Sequence, residues 1–165
     1  MRAITLALLV TVATHALPAQ GKPTIVGTWR LVSAVSTDSG GKQVQTIGDH
    51  PLGRISYSVD GFMAAQLYRT DRPKLGADPA KADPAAVRAA FVGLFTYYGR
   101  YTIDAAAHTV THHVEGSGNP DWVGGTLVRS FRFLSDNRVQ LTTVTSYDGK
   151  KVASPTVLVW ERVGK

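Results

Sequence analysis

The sequence predicts an all-β fold, a closed antiparallel up-and-down barrel of about 8–10 strands with one short helix. Three observations support this prediction. Short runs of β-branched and aromatic residues recur along the chain with alternating apolar and polar positions. Turn sequences separate these runs, most clearly at Asp60-Gly61 and at residues 104–107 and 135–137. Only residues 83–95 show a helical pattern.

The N-terminal residues have the order of a secretory signal peptide. Arg2 precedes an apolar run over residues 3–12, and small residues mark a cleavage site near Ala19. The apolar run is too short to span a bilayer. We therefore expect a signal peptide over residues 1–19, a single barrel domain over residues 20–165, and a secreted or periplasmic protein with no membrane span. The chain has no cysteine, which excludes a disulfide framework.

The overall composition is that of a globular domain. Of the 165 residues 44% are hydrophobic and 18% are charged, which is too apolar for a disordered chain. The net charge is +6, but the basic residues are scattered singly, with only Lys150 and Lys151 adjacent. A nucleic-acid binder should gather its basic residues in a stripe. We therefore expect no nucleic-acid partner.

The first half of the chain contains a strand and a hairpin. Residues 25–35 form the first strand, and residues 44–47 are a candidate short strand. Residues 53–59 and 62–68 flank Asp60-Gly61, which predicts a two-residue hairpin turn. This register places one set of side chains on a common face: Ile55, Tyr57, Val59, Phe62, Ala64, Gln66 and Tyr68.

The middle of the chain changes character. Residues 70–82 are rich in Pro, Asp and Lys and predict a loop. Asp83 followed by Pro84 is a typical helix start, and the helix should run to about Phe95. Such a helix either caps one end of the barrel or simply connects two strands, and the sequence leaves both roles open.

Two further hairpins bring a histidine and an arginine to the barrel interior. In the first, Ile103 is predicted to lie opposite His108, so that His112 shares a face with several apolar residues. In the second, Arg129 lies opposite Thr143 on an otherwise apolar face. A slip of one residue would turn these apolar faces outward, so the patterning favours this register. Residues 155–163 form the last strand, but their nearly continuous apolar character leaves its two faces unassigned.

The three histidines at positions 108, 112 and 113 are not placed to share a metal ion, which leaves His50 with distant carboxylates as the only other route to a metal site. His112 and His113 point to opposite faces of a strand, whereas His108 and His112 share a face but stand ~13 Å apart. Zinc ligands lie about 2 Å from the ion. The chain also lacks a nucleophile elbow, a phosphate-binding loop and a dinucleotide fingerprint. We therefore expect neither a metal nor a cofactor.

Several motifs resemble a known family. The first strand contains Gly27-Thr28-Trp29, the G-x-W opening of lipocalins. More specifically, the chain from about Val26 to Val163 resembles the bacterial and fungal lipocalin-like domain, a member of the calycin group. The remaining matching segments are residues 53–57, 60–66, 71–73, 109–115, 120–124 and 158–162, together with Tyr101 and Arg129.

This resemblance implies a calycin-like barrel but little about activity, because a fold does not determine a function. In lipocalins the motif tryptophan packs at the closed end of the barrel under an arginine. By resemblance, Trp29 would fill that position with Arg162 stacked over it.

The candidate ligand-binding residues share predicted inward faces or, for Trp122, a loop at the barrel mouth. They are Tyr57, Gln66, Tyr68, Tyr101, His112, Trp122, Arg129 and Thr143. A buried arginine needs a partner, and the inward faces of the two later hairpins offer no carboxylate. Either the site is a satisfied internal network or an anionic ligand group completes it. Trp122 either gates the mouth or packs beneath its loop.

These residues support a functional expectation with two alternatives. The first is a secreted protein that binds or carries a small amphipathic molecule, with a carboxylate head group, inside the barrel. The second is a cofactor-independent isomerase or cyclase in which His112 acts as general acid or base. A third hypothesis, a protein that uses its outer face for interactions, needs an exposed apolar patch. The sequence leaves the oligomeric state open.

Overall fold

The structure, a computed structural model, describes residues 24–164. The predicted signal peptide and the cleavage site near Ala19 lie outside the described residues. The strands are β1 (Gly27–Thr37), β2 (Gln43–Gln45), β3 (Leu52–Tyr57), β4 (Phe62–Tyr68), β5 (Leu94–Asp104), β6 (Thr109–Ser117), β7 (Thr126–Ser135), β8 (Arg138–Thr143) and β9 (Val157–Arg162), and the helix α1 spans Pro84–Val92.

All strands belong to one antiparallel sheet that closes on itself. The sheet order is β2-β1-β3-β4-β5-β6-β7-β8-β9, and β1 also pairs with β9. Eight strands, β1 and β3 to β9, therefore form the barrel, while β2 pairs with the second half of β1. The predicted closed antiparallel barrel with one short helix is confirmed. No helix within residues 24–164 has the length and apolar composition needed to cross a membrane.

The barrel has a closed end and a mouth. At the closed end, Trp29 is fully buried and its indole Nε1 donates a hydrogen bond to the carbonyl of Ile25 at 2.8 Å. The guanidinium of Arg162 lies over the indole ring, 4.0 Å from its centroid, and donates to the carbonyls of Val26 and Thr24. The structure thus confirms the arrangement that the resemblance implies. The longer connections lie at the opposite end, the mouth.

The register of the β3–β4 hairpin differs from the prediction by one residue. Tyr57 pairs with Met63, and the amide of Ser58 donates to the carbonyl of Phe62 at 2.8 Å. The loop therefore contains three residues and ends at Gly61, whose φ of 88° is a left-handed conformation that glycine adopts without strain. Side chains alternate along a strand, so this shift moves Gln66 and Tyr68 to the outer face.

The register of the β5–β6 hairpin is displaced by two residues. Ile103 pairs with Val110 rather than with His108, which lies in the turn with a φ of 51°. A shift of two residues preserves the faces, so His112 still points inward. The β7–β8 register agrees with the prediction, because Arg129 pairs with Thr143.

Helix α1 is shorter than predicted. The Asp83 side chain caps it by accepting from the amide of Ala86 at 3.2 Å, as the sequence predicts. The helix ends at Val92 with Gly93 as its C-cap, and the residues that follow, including Phe95, belong to β5. Helix α1 contributes no side chain to the central cavity, which favours the interpretation as a connection between β4 and β5.

Candidate functional site

The barrel encloses a cavity of about 300 Å³ that opens at the mouth. Most of its wall is apolar, formed by Ile47, Ile55, Ala65, Leu67, Phe95, Trp122, Leu141, Leu158 and Trp160. The polar side chains on the wall are Thr46, Tyr97, His112, Arg129, Thr143 and Thr156. Within residues 24–164, no acidic residue lines the cavity. A cavity of this size and character suits one small amphipathic ligand.

His112 forms the centre of a buried hydrogen-bonded triad. Its Nε2 lies 2.8 Å from the hydroxyl of Tyr57, and its Nδ1 lies 3.0 Å from the hydroxyl of Tyr97. The three side chains come from β3, β5 and β6, which are brought together by barrel closure. His112 is 0% exposed and is the only fully buried polar or charged side chain within residues 24–164. We refer to Tyr57, His112 and Tyr97 as the triad.

Burial keeps all three groups of the triad neutral. Desolvation lowers the pKa of His112 well below 6.5, and the electrostatic effects of Arg129 and of His113 act in the same direction. Desolvation raises the pKa of Tyr57 well above 10.0. It also raises the pKa of Tyr97, although the nearby Arg129 guanidinium opposes this shift. At neutral pH the imidazole therefore has one N–H donor and one acceptor nitrogen.

Arg129 lies on the wall of the cavity and is half-buried. Its Nη1 donates to the carbonyls of Val128 at 3.0 Å and Thr145 at 3.2 Å. Within residues 24–164, no carboxylate lies at ion-pair distance from its guanidinium. Backbone carbonyls hold the side chain in place without neutralising its charge, so the cavity has an uncompensated positive group on its wall.

Trp122 lies at the mouth, in a short 3₁₀ turn that Asn119 caps. Its ring stacks on Phe95 with a centroid distance of 6.4 Å and meets the edge of Tyr97 at 5.9 Å. The indole is half-buried and lines the cavity. Trp122 therefore packs against the rim and also forms part of the cavity wall.

The structure brings half of the predicted site residues together on the cavity wall. These are His112, Trp122, Arg129 and Thr143. Tyr57 lies behind His112 and contacts it without lining the cavity.

The other three predicted residues lie elsewhere. Tyr101 lies towards the closed end, where its hydroxyl donates to the carbonyl of Ser58 at 2.7 Å. Gln66 is exposed on the outer face. Tyr68 also lies on that face, with its ring centroid 5.5 Å from the guanidinium carbon of Arg72. The predicted inward orientation of Gln66 and Tyr68 is wrong because of the register of the β3–β4 hairpin, whereas Tyr101 points inward as predicted but lies below the cavity.

The predicted site omits several residues of the cavity wall, among them Tyr97 and Trp160. Tyr97 alternates with Gly99 and Tyr101, so a strand extended one residue upstream would have included it on the inward face. Trp160 lies in a nearly continuous apolar strand that shows no alternation. Its ring is 1% exposed, and its indole Nε1 has no hydrogen-bond partner within the described part of the chain.

The side chains of residues 24–164 contain no group of three metal-ligating residues. The His108 ring packs against Phe131 at 5.9 Å, and the outward-facing His113 lies 3.1 Å from the hydroxyl of Thr102. The histidines thus have separate surroundings.

Comparison with known proteins identifies the family. The family model for the lipocalin-like domain matches residues 26–163. The chain belongs to the lipocalin-like domain family. This match spans the whole barrel, from the strand that carries Trp29 to the strand that carries Arg162. No curated protein sequence matches this lipocalin-like chain.

Solved structures similar to this lipocalin-like barrel include several β-barrels. A redesigned β-barrel has 13% identity and a TM-score of 0.41, covering 85% of this chain and 92% of its own. A de novo designed fluorescence-activating β-barrel has 12% identity and a TM-score of 0.40, with coverages of 84% and 93%. The structure of EF1p2_mFAP2b bound to DFHBI has 14% identity and a TM-score of 0.41, with coverages of 84% and 94%.

Proposed function

We propose that this lipocalin-like protein binds or carries a small amphipathic molecule with a carboxylate head group. The observation that carries the proposal is the half-buried Arg129, which lies on the wall of an otherwise mostly apolar cavity without a carboxylate partner in residues 24–164. A ligand carboxylate would give the guanidinium a charge-assisted partner. The aliphatic and aromatic wall would hold the apolar body of the same ligand.

Replacing Arg129 with methionine should weaken the binding of decanoic acid by roughly 10- to 100-fold, because a charge-assisted hydrogen bond is worth about 1.5–3 kcal/mol. The binding of methyl decanoate, which has the same chain but no charge, should change by no more than about threefold. Isothermal titration calorimetry measures both affinities.

Arg132→Met is the matched control, since Arg132 lies on the same strand with its exposed side chain on the opposite face. This control should leave both affinities unchanged. Equal losses for the acid and the ester in Arg129→Met would reject the anionic head group.

Native mass spectrometry of freshly purified protein should in addition detect a co-purified acidic molecule.

Catalysis on the same site, as a cofactor-independent isomerase or cyclase, is the alternative function. In such an enzyme the hydrogen bonds of the triad would make Tyr97, rather than His112, the residue that exchanges a proton with the substrate. Both ring nitrogens of His112 already have tyrosine hydroxyl partners, so a proton could reach His112 only through Tyr97. We favour binding, because this function needs only the charge of Arg129 and the apolar wall.

We also propose that the protein is secreted or periplasmic and is cleaved near Ala19. The support is the order of residues 1–19, a positive charge followed by an apolar run and small residues. The protein expressed from its full sequence should lose about 19 residues during export. Mass spectrometry and N-terminal sequencing of the exported protein measure the cleavage position, and an uncleaved N-terminus on the exported protein would contradict the proposal.

A further inference from the structure

We infer that Tyr97 is a second ligand-recognising group, held as a hydrogen-bond donor towards the cavity by His112 and Tyr57. This inference deepens the proposed function and rests on it. A Tyr97 hydroxyl that donates into the cavity selects ligands with an acceptor oxygen, in a carboxylate or a carbonyl, and disfavours ligands with an ammonium group.

The neutral imidazole of His112 has a single ring proton. A neutral histidine with both nitrogens in hydrogen bonds must donate from one nitrogen and accept at the other. Either Nδ1 donates to Tyr97 and Tyr57 donates to Nε2, or Nε2 donates to Tyr57 and Tyr97 donates to Nδ1. The two arrangements differ in which tyrosine hydroxyl keeps a free proton.

The surroundings of Tyr57 distinguish these two arrangements. Its side chain is 2% exposed, it does not line the cavity, and His112 is the only hydrogen-bond partner of its hydroxyl within residues 24–164. If Tyr57 accepted from Nε2, its own O–H would be a buried donor without an acceptor. Such a group is strongly unfavourable, because it loses its hydration without gaining a hydrogen bond. Tyr57 therefore donates to Nε2, and the imidazole proton lies on Nδ1.

The oxygen of Tyr97 then accepts from Nδ1–H, so its own proton is free to donate elsewhere. The two distances, 2.8 Å at Nε2 and 3.0 Å at Nδ1, are both those of ordinary hydrogen bonds. Tyr97 lines the cavity, so an acceptor atom of a ligand in the cavity can accept a hydrogen bond from its hydroxyl.

Tyr97 and Arg129 then present donors of different kinds to the same cavity. The guanidinium has a full charge and discriminates a carboxylate from its neutral ester. The hydroxyl is neutral and interacts with both the acid and the ester. Substitutions of these two residues should therefore affect the two ligands in different patterns, and this difference separates the inference from the proposed function.

Nitrogen-15 NMR of the wild-type protein tests the assignment without any ligand. The His112 resonances, assigned by their loss in His112→Gln, should show a protonated Nδ1 and an unprotonated Nε2. Tyr57→Phe removes the hydroxyl that keeps the ring proton on Nδ1. The chemical shifts of the two His112 nitrogens should then move towards a common average. A protonated Nε2 in the wild-type protein would overturn the inference, whatever ligand the protein binds.

Binding of decanoic acid and methyl decanoate then tests the role of Tyr97. Tyr97→Phe should weaken both ligands by about fivefold, the value of one neutral hydrogen bond. Tyr57→Phe, which removes a hydroxyl that does not line the cavity, should weaken both by about twofold, because only about half of the molecules keep Tyr97 as a donor. Tyr98→Phe is the control on the same strand, since Tyr98 is 58% exposed on the opposite face, and it should change neither affinity.

The outcomes separate the two claims. If both ligands bind the wild-type protein and Tyr97→Phe leaves both affinities unchanged, the role of Tyr97 is rejected while the proposed function stands. If neither ligand binds but Nδ1 of His112 is protonated, the internal arrangement is correct and the proposed function fails for these ligands. In that case the ligand-recognising role of Tyr97 is rejected with it.

Discussion

Replacing Trp29 with alanine should lower the free energy of unfolding by about 3–5 kcal/mol. The indole is fully buried between the wall of the barrel and the Arg162 guanidinium, which lies 4.0 Å from the ring centroid. The substitution removes a large apolar surface from the core and leaves a cavity at the closed end. It also removes the cation–π contact and the hydrogen bond from Nε1 to the carbonyl of Ile25. These losses affect the point where β1 closes the barrel against β9.

Urea unfolding followed by circular dichroism measures this loss. Trp122→Ala is the matched control, because it removes the same side chain at the mouth, where the indole is only half-buried. The control should lose less than about half as much stability, since less buried surface is removed. Equal losses in the two variants, or a Trp29→Ala variant as stable as the wild-type protein, would contradict a structural role for the closed end.

The sequence predicts the barrel well where local signals agree. The β7–β8 register follows from the alternation around Arg129 and Thr143, and the structure has the same pairs. The β5–β6 register is wrong by two residues, yet the inward position of His112 is correct because the side-chain period is two. The β3–β4 hairpin shows the limit of this reasoning. Asp60-Gly61 indicates a turn, but it does not distinguish a two-residue loop from a three-residue loop that ends at glycine.

The triad could not be predicted from sequence in the same way. Tyr57 and His112 are 55 residues apart in the chain, and Tyr97 and His112 are 15 residues apart. Local patterning assigns a side chain to a face, but it does not determine which strands meet across a closed barrel. The sequence predicts His112 and Arg129 inside the barrel, whereas the position of Tyr97 beside them depends on the β5–β6 and β6–β7 pairing.

The triad predicts a large stability effect at His112. Replacing His112 with leucine should destabilise the protein at pH 7.5 by roughly 1–3 kcal/mol, because the buried hydroxyl of Tyr57 loses its partner. Tyr97 loses a partner as well, but it borders the cavity and can turn its hydroxyl towards it. His113→Leu is the matched control. His113 is the next residue on β6, its ring faces outward, and this variant should lose much less stability.

His112 should also make the stability of the wild-type protein depend on pH. Burial lowers the pKa of the folded His112 well below 6.5, so below pH 6.5 the unfolded chain binds a proton at this residue that the folded protein does not bind. Unfolding therefore takes up a proton, and stability is full above pH 6.5 and falls as the pH decreases below it. This single group contributes a slope of at most about 1.4 kcal/mol per pH unit.

Urea unfolding between about pH 5 and pH 7.5 measures this slope, because most carboxylates titrate below that range. The wild-type protein and His113→Leu should both lose stability as the pH falls from 6.5 to 5. His112→Leu has no titrating group at this position, so its unfolding free energy should depend less on pH in the same interval. If His112→Leu keeps the full wild-type slope, His112 does not titrate as a buried neutral imidazole, and the hydrogen-bond directions assigned to the triad are wrong.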